Sequence, residues 1–341
     1  MPKLELFEAI ATIVGCIIGA GILGIPYVIA KSGFITGAML IILLGIVIIV
    51  LYLYLGEIVL RTKGKHQLTG YAEKYLGRWG KFLMMISMLV GLYGALIAYF
   101  IGEGDELSAI FGGSPIYYTI LFFLLGATLL YFGIETLEKS ELFSVIAVLL
   151  IISVIIFFTY PHVNVDNLRM FDISKFFVPF GVLLFAYTGM IAVPEANEML
   201  SHDKRRLKTA VAMGVLIPII VYFVFSLVVV GSIGLSGFES LAGDQRIATI
   251  ALGMVVNPNL FLIANLFAVF AMFTSFMAVG FALKEMLIYD YDFKKKTAWA
   301  MTCFVPLIIA LLSVTNFIQV IEIAGVIAGG INAVLILLMF H

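Results

Sequence analysis

The chain has 341 residues, 63% of them hydrophobic and 12% charged, with a mean hydropathy of +1.16. A water-soluble domain is nearer half apolar and a quarter charged, so a soluble enzyme and a disordered chain are both excluded. A net charge of −1, from 20 Lys+Arg against 21 Asp+Glu, offers no basic face to nucleic acid. This is the composition of a polytopic integral membrane protein.

A helical span needs about 20 apolar residues to cross roughly 30 Å of hydrocarbon. Uncharged runs at 9–30, 33–56, 82–102, 107–134, 142–165, 176–194, 209–238, 247–283, 297–321 and 323–341 supply them. The 247–283 run is too long for one span. Asn257-Pro258-Asn259 divides it into an outer segment and a span from about Leu260. The last two runs meet at Glu322, and the Ser313–Asn316 turn signal separates their helices. The reading is ten spans in an all-α fold. The start, Met1-Pro2-Lys3, leads into an uncleaved first span.

Basic residues set the orientation. With the N-terminus inside, 16 of the 20 fall on the inner side: Lys3, Arg61, Lys63, Lys65, Lys74, Arg78, Lys81, Lys139, Lys204, Arg205, Arg206, Lys208, Lys284 and Lys294 to Lys296. Lys31, Arg169, Lys175 and Arg246 fall outside. Both termini are therefore expected in the cytoplasm, with the chain in the cell membrane. In the inner stretch 61–81, Tyr71, Tyr75 and Trp79 have the spacing of one helical face, as an interfacial helix requires. Gly77-Arg78-Trp79-Gly80 marks the start of the third span, and Glu57 is four residues from Arg61, a pairing distance.

Spans one to five (residues 1–165) and six to ten (166–341) form halves of nearly equal length. An odd number of spans in each makes the second enter the membrane in the opposite sense, the arithmetic of an inverted repeat. Matching irregularities support it. Span one contains Gly19-Ala20-Gly21 and Pro26; span six contains Phe185-Ala186-Tyr187-Thr188-Gly189 and Pro194. In both, glycine precedes proline by five positions. Each proline leaves a carbonyl without its donor, at Ile22 and at Met190, and the small residues ease unwinding. Unwound backbone cannot face lipid, so it must line a buried or wet cavity.

Unwinding at Gly19, Ala20 and Gly21 creates a helix start suited to a carboxylate. Unwinding at Phe185, Ala186, Thr188 and Gly189 offers oxygens suited to an ammonium. A zwitterionic amino acid has both groups. Neither break carries a charged side chain, which favours a neutral substrate.

The run Ile18-Gly19-Ala20-Gly21-Ile22-Leu23-Gly24-Ile25-Pro26-Tyr27, followed by Ala30-Lys31-Ser32-Gly33, resembles the first-span signature of the amino acid/auxin permease family. That family lies within the amino acid–polyamine–organocation superfamily. Phe185-Ala186-Tyr187 with Gly189 and Pro194-Glu195 is similar to its sixth-span signature. The resemblance implies the leucine-transporter fold, alternating access, and amino acid transport coupled to Na⁺ or H⁺. The family often has an eleventh span; this chain ends at Phe340-His341 with the tenth.

In span eight, Ala271, Thr274 and Ser275 share one helical face. Two hydroxyls and a carbonyl are hard donors for a small cation. In sodium-coupled relatives of the resembled fold such a trio forms half of a Na⁺ site. The resemblance assigns the other half to the carbonyls of Gly15 and Ile18. The alternative is that the hydroxyls bond back along their own helix. The fifth span has no Lys or Arg to stand in for the cation, which favours Na⁺; a proton carried by Glu322 is the alternative.

Cys16 and Cys303 lie in different spans and read as packed thiols. Tyr93 and Tyr99 are candidates for the pocket wall, and Asn265 and Asn332 for bridges between helices. Lys284 and Glu285 close the inner end of span eight. His66, His162, His202 and His341 lie in loops or at the terminus without metal-site spacing. No catalytic constellation is present, so an enzyme is not expected. No cofactor is expected beyond the coupling ion.

Overall fold

The computed structural model describes residues 2–64, 66–132, 141–200, 203–256, 258–289 and 291–341. Met1, Lys65, Lys139, His202 and Asn257, named above, lie outside the described residues. Fourteen α-helices and no strand are found among those described. In chain order they are α1 Pro2–Ile17, α2 Gly21–Ser32, α3 Phe34–Arg61, α4 Leu68–Phe111, α5 Pro115–Phe132, α6 Glu141–Thr159 and α7 Phe180–Ala186. There follow α8 Ala192–Met199, α9 Leu207–Glu239, α10 Ala248–Val255, α11 Pro258–Tyr289, α12 Lys295–Leu311, α13 Phe317–Ala324 and α14 Gly330–Phe340.

Among the described residues, seven helices are long and apolar enough to cross a membrane, or eight if the pair Leu4–Ile17 and Gly21–Ser32, bent by 56°, is one span. The remaining segments fall below that length individually: α7 has 7 residues, α8 has 8 and α12 has 17. The sixth and ninth expected spans fall on these short elements.

Helix ends follow local chemistry. Gly33 (φ 85°) stops α2, its amide returning to the Ala30 carbonyl at 3.2 Å, and Gly112 (φ 76°) stops α4. Asn316 and Gln319 form a reciprocal capping box at the start of α13, just after the expected Ser313–Asn316 turn. A π-helical turn at Gly325–Gly329 joins α13 to α14. Pro258 opens α11 close to the expected position, with α10 as the preceding segment.

In the packing, α9 lies against α1, α2 and α3, while α4 lies against α11, α13 and α14. The broken elements pack on each other, α1 on α8 and α2 on α7, and α7 also lies against α13. The segment 160–179 is tied down by the Asn167 side-chain amide on the Gly231 carbonyl (2.8 Å) and the Asp172 backbone amide on the Thr36 hydroxyl (2.9 Å).

Three local expectations are corrected. Gly77 (φ 69°, ψ −160°) interrupts α4, so Tyr71, Tyr75 and Trp79 do not share a face. Tyr71 is buried, while Trp79 beyond the kink is 77% exposed. Glu57 does not pair with Arg61: its carboxylate meets Lys208 at 3.3 Å. Arg61 instead donates to the carbonyls of Met339 and Phe340 and to the Tyr75 hydroxyl, neutralising the open C-terminal end of α14. Cys303 is buried as expected, but Cys16 is exposed to a cavity.

Candidate functional site

The first break diverts three backbone amides. The Gly19 amide bonds the Ile17 carbonyl (3.0 Å), and those of Ile22 and Leu23 bond Gly19 (3.4 Å) and Ala20 (3.0 Å). Regular helix would have sent Gly19 to Gly15 and Ile22 to Ile18. The carbonyls of Gly15 and Ile18 therefore lose their helical donors. The amides of Ala20 and Gly21 stand at the start of the twelve-residue α2, where a helix has no carbonyls for its first donors.

The second break lies directly behind the first. A Cβ added to Gly21 would stand 2.7 Å from the Cα of Ala186, and one on Gly189 would stand 2.4 Å from a side-chain carbon of Ile17. Only glycine lets the two unwound segments come this close. Carbonyls at α7's end are held by tyrosines from neighbouring helices. The Tyr52 hydroxyl of α3 donates to the Tyr187 carbonyl (2.8 Å) and accepts from the Gly189 amide (2.7 Å). The Tyr222 hydroxyl of α9 lies 2.7 Å from the Ile17 carbonyl and 2.8 Å from that of Ala186. One phenol thus bridges both breaks. Tyr187 in turn donates to the Ile41 carbonyl (3.0 Å).

Tyr52 and Tyr222 were missed from sequence. A mid-span tyrosine carries a hydroxyl that hydrocarbon cannot satisfy, and that was the available signal.

Gly19, Ala20, Gly21, Phe185, Ala186, Thr188 and Gly189 all line one cavity of about 110 Å³. Cys16, Ser87, Gly91, Ala95, Tyr99, Val279, Ala328 and Asn332 contribute to its wall, and among the described residues no Asp, Glu, Lys or Arg lines it. The Thr188 hydroxyl donates back to the Leu184 carbonyl at 3.0 Å, leaving its lone pairs open. Tyr99 lines the wall as expected. Tyr93 does not; its hydroxyl reaches the Met301 carbonyl at 3.4 Å.

Of the cation trio, Ser275 points at the first break: a Cβ on Gly19 would meet its Oγ at 3.3 Å. The Thr274 hydroxyl donates to the carbonyls of Phe270 (3.1 Å) and Ala271 (3.0 Å), the back-bonding alternative. Donation uses the hydrogen and leaves the oxygen able to coordinate. Gly15 turns its Cα toward Val145 of α6. No group of three or more His, Cys, Asp or Glu able to hold a metal occurs among the described residues.

A second group escaped sequence reading. Residues 103–106 read as a loop, yet α4 continues through them to Phe111. Glu103 and Glu106 are fully buried and Asp105 nearly so. Glu106 accepts from the Thr249 hydroxyl of α10, while neither carboxylate oxygen of Glu103 has a hydrogen-bond partner among the described residues. The first glycine pair able to stop the helix is Gly112-Gly113, and that was the overlooked signal. Glu322 lies exposed beside Gly181, and Asn332 bridges helices by accepting from Ser87 (2.6 Å).

Comparison with known proteins gives this geometry a context. A model of the tryptophan/tyrosine permease family matches residues 3–340. The first-span resemblance had pointed instead to the amino acid/auxin permeases, a name the match corrects. Glutamine transporter 2 of Aliivibrio fischeri is 25% identical over 95% of this chain and 86% of its own length. Tyrosine-specific transport system 1 of Haemophilus influenzae is 25% identical over 92% of this chain and 82% of its own length. Among solved structures, MhsT in complex with L-phenylalanine superposes with a TM-score of 0.73 at 14% identity, covering 98% of this chain and 88% of that one. Mhp1, a nucleobase-cation-symport-1 family transporter, gives 0.62 at 14% identity, covering 97% and 77%. The fold is that of the leucine-transporter type.

Proposed function

Because the chain belongs to the tryptophan/tyrosine permease family, and so is an amino acid transporter and not an enzyme, we propose that it carries a neutral amino acid by alternating access in symport with Na⁺. The observation that carries this reading is the meeting of both broken helices on one uncharged cavity. The substrate carboxylate sits on the amides of Ala20 and Gly21 at the start of α2, beside Gly19. Its ammonium meets oxygens of the Phe185–Gly189 segment, with Thr188 foremost. The Ala186 and Tyr187 carbonyls, each already accepting one phenol, keep a second lone pair.

Na⁺ sits between the carbonyls of Gly15, Ile18 and Ala271 and the hydroxyls of Thr274 and Ser275. Support comes from the diverted amides of Gly19 and Ile22 and from the approach of Ser275 to Gly19. In this reading the helices make ten spans, α1–α2 and α7–α8 each counting as one. Two inverted halves, 1–165 and 166–341, form a multi-pass protein of the cell membrane with both termini cytoplasmic. The distribution of Lys and Arg supports that orientation.

Proton coupling is the second reading, favoured by the buried Glu103 and Glu106. Uptake of the twenty labelled amino acids into proteoliposomes, with and without a Na⁺ gradient, tests both. Saturable uptake of a neutral amino acid driven by Na⁺ is expected. Uptake that follows a pH gradient and ignores Na⁺ selects the proton, and no saturable uptake refutes transport.

A further inference from the structure

The cavity extends from the breaks in one direction. Along α4 its lining runs from Tyr99, beside Gly19, to Ser87, toward the end of that helix that carries Lys81 and the inner stretch 61–81. In the other direction the helices close. A Cβ on Gly24 of α2 would stand 2.7 Å from Ile321 and 3.7 Å from Phe317 of α13, and 3.5 Å from Val182 of α7. On the orientation proposed above, the outer side is shut and the inner side is the one the cavity approaches.

The outer connection after α9 takes part in this closure. Each residue from Ile247 to Leu252 is at most 1% exposed. A helix lying on a surface keeps one face in solvent. α10 is instead inserted, packed against α2, α9 and α11. Two polar contacts, one helical turn apart, fix it. Arg246, just ahead of α10, donates from Nη1 to the Tyr27 hydroxyl of α2 at 3.2 Å, with its guanidinium 5.2 Å from the centre of that ring. Thr249 donates to the buried Glu106 of α4. Tyr27 stands one turn beyond Gly24 and meets Phe238 of α9 edge-on at 5.7 Å. The outer half of the first broken helix is thus tied to α4 through α10.

The clasp is of a kind that releases. Cation–ring attraction and one hydrogen bond favour it. Against them, the Arg246 Nε is buried without a partner, a loss that water makes good once the mouth opens. The two positions therefore differ little in free energy, as a gate that opens in every cycle requires.

We infer that α10 is the plug of the outer mouth and that Arg246, by clasping Tyr27, is the positioning residue that holds it shut. This rests on the alternating-access reading above. Neither residue lines the cavity at the breaks, so the clasp acts on access to the site and not on the substrate's contacts.

Cys16 supplies the test, because it borders the cavity while Cys303 is fully buried. Labelling of Cys16 by a charged, membrane-impermeant methanethiosulfonate is timed in the full chain from the outer and the inner face of oriented vesicles, with Cys16→Ala as the blank. Arg246→Met is expected to raise the outer rate about tenfold without raising the inner rate, and Arg246→Lys, which keeps a cation over the ring, to return it toward the parent. Tyr27→Phe keeps the ring and loses the acceptor. It is expected to raise the outer rate about threefold, a second arm should Arg246→Met not fold. Arg169→Met removes another outer cation, exposed and paired with Asp166 at 3.0 Å, and is expected to change neither rate. Unchanged outer labelling in Arg246→Met and Tyr27→Phe would overturn the inference. A rise from both faces together, the mark of general loosening, would overturn it too, as would failure of Cys16 to react from either face of the unaltered protein. Saturable uptake alongside such a result confines the failure to this inference, whereas no saturable uptake by the unaltered protein overturns the transport reading itself.

Discussion

Replacing Tyr222 by Phe removes one oxygen from the point where both breaks meet. The ring stays, including its contact with Tyr187 at 5.3 Å between centroids, so packing changes little. Two carbonyls lose a donor, but not equally. Ile17 still accepts the Gly19 amide at 3.0 Å, whereas the Ala186 carbonyl loses the phenol that held it. One buried acceptor left unpaired costs about 1–3 kcal/mol. That is a fraction of a typical domain's 5–15 kcal/mol, so the variant folds. The expected result is a lower unfolding temperature in detergent, together with weaker apparent substrate affinity as the second break loses its tether. Tyr93→Phe is the control: its hydroxyl makes only a 3.4 Å contact and does not line the cavity at the breaks, so it is expected to stay within about 0.5 kcal/mol of the parent. Equal stability and uptake for Tyr222→Phe and the parent would refute the assignment of Tyr222 as the tie between the breaks.

Gly21→Ala drives a methyl against the backbone of Ala186, which cannot rotate away, and is expected to cost about 1–3 kcal/mol and abolish uptake. Gly330→Ala, with nothing within 4 Å of its new methyl, is expected to be silent in the same thermal and uptake assays. Thr274→Ala and Ser275→Ala are each expected to raise the Na⁺ concentration for half-maximal uptake at least about tenfold, with transport recovered at high Na⁺. Glu106→Gln preserves shape and the Thr249 contact. It is expected to leave Na⁺-driven uptake in place; loss of the response to a pH gradient in that variant would assign coupling to the proton.

The breaks were legible because they rest on glycine and proline, whose backbone effects are local. Gly19 to Gly21 and Phe185, Ala186, Thr188 and Gly189 accordingly line one cavity. What closes the breaks was not legible, because Tyr52 and Tyr222 lie on helices that sequence spacing does not relate to α1 or α7. The same limit applied at 103–106. Three acids in four residues look like a loop by charge alone, and only the fold, which packs α5 and α11 on α4 and sets Thr249 of α10 against Glu106, shows them buried on a continuing helix. Arg61 shows a third case: its spacing from Glu57 suggested a helical pair, but the carbonyls ending α14, distant in sequence, took the guanidinium.

The central claim is that two broken helices hold the two charged ends of one neutral amino acid. Counterflow in proteoliposomes loaded with unlabelled tyrosine tests it most directly, with labelled tyrosine outside and tyramine or a tyrosine ester as competitors. The account predicts saturable counterflow that tyrosine inhibits and that the analogues lacking a free carboxylate do not. Equal inhibition by tyramine, or flux rising linearly with concentration, would contradict it.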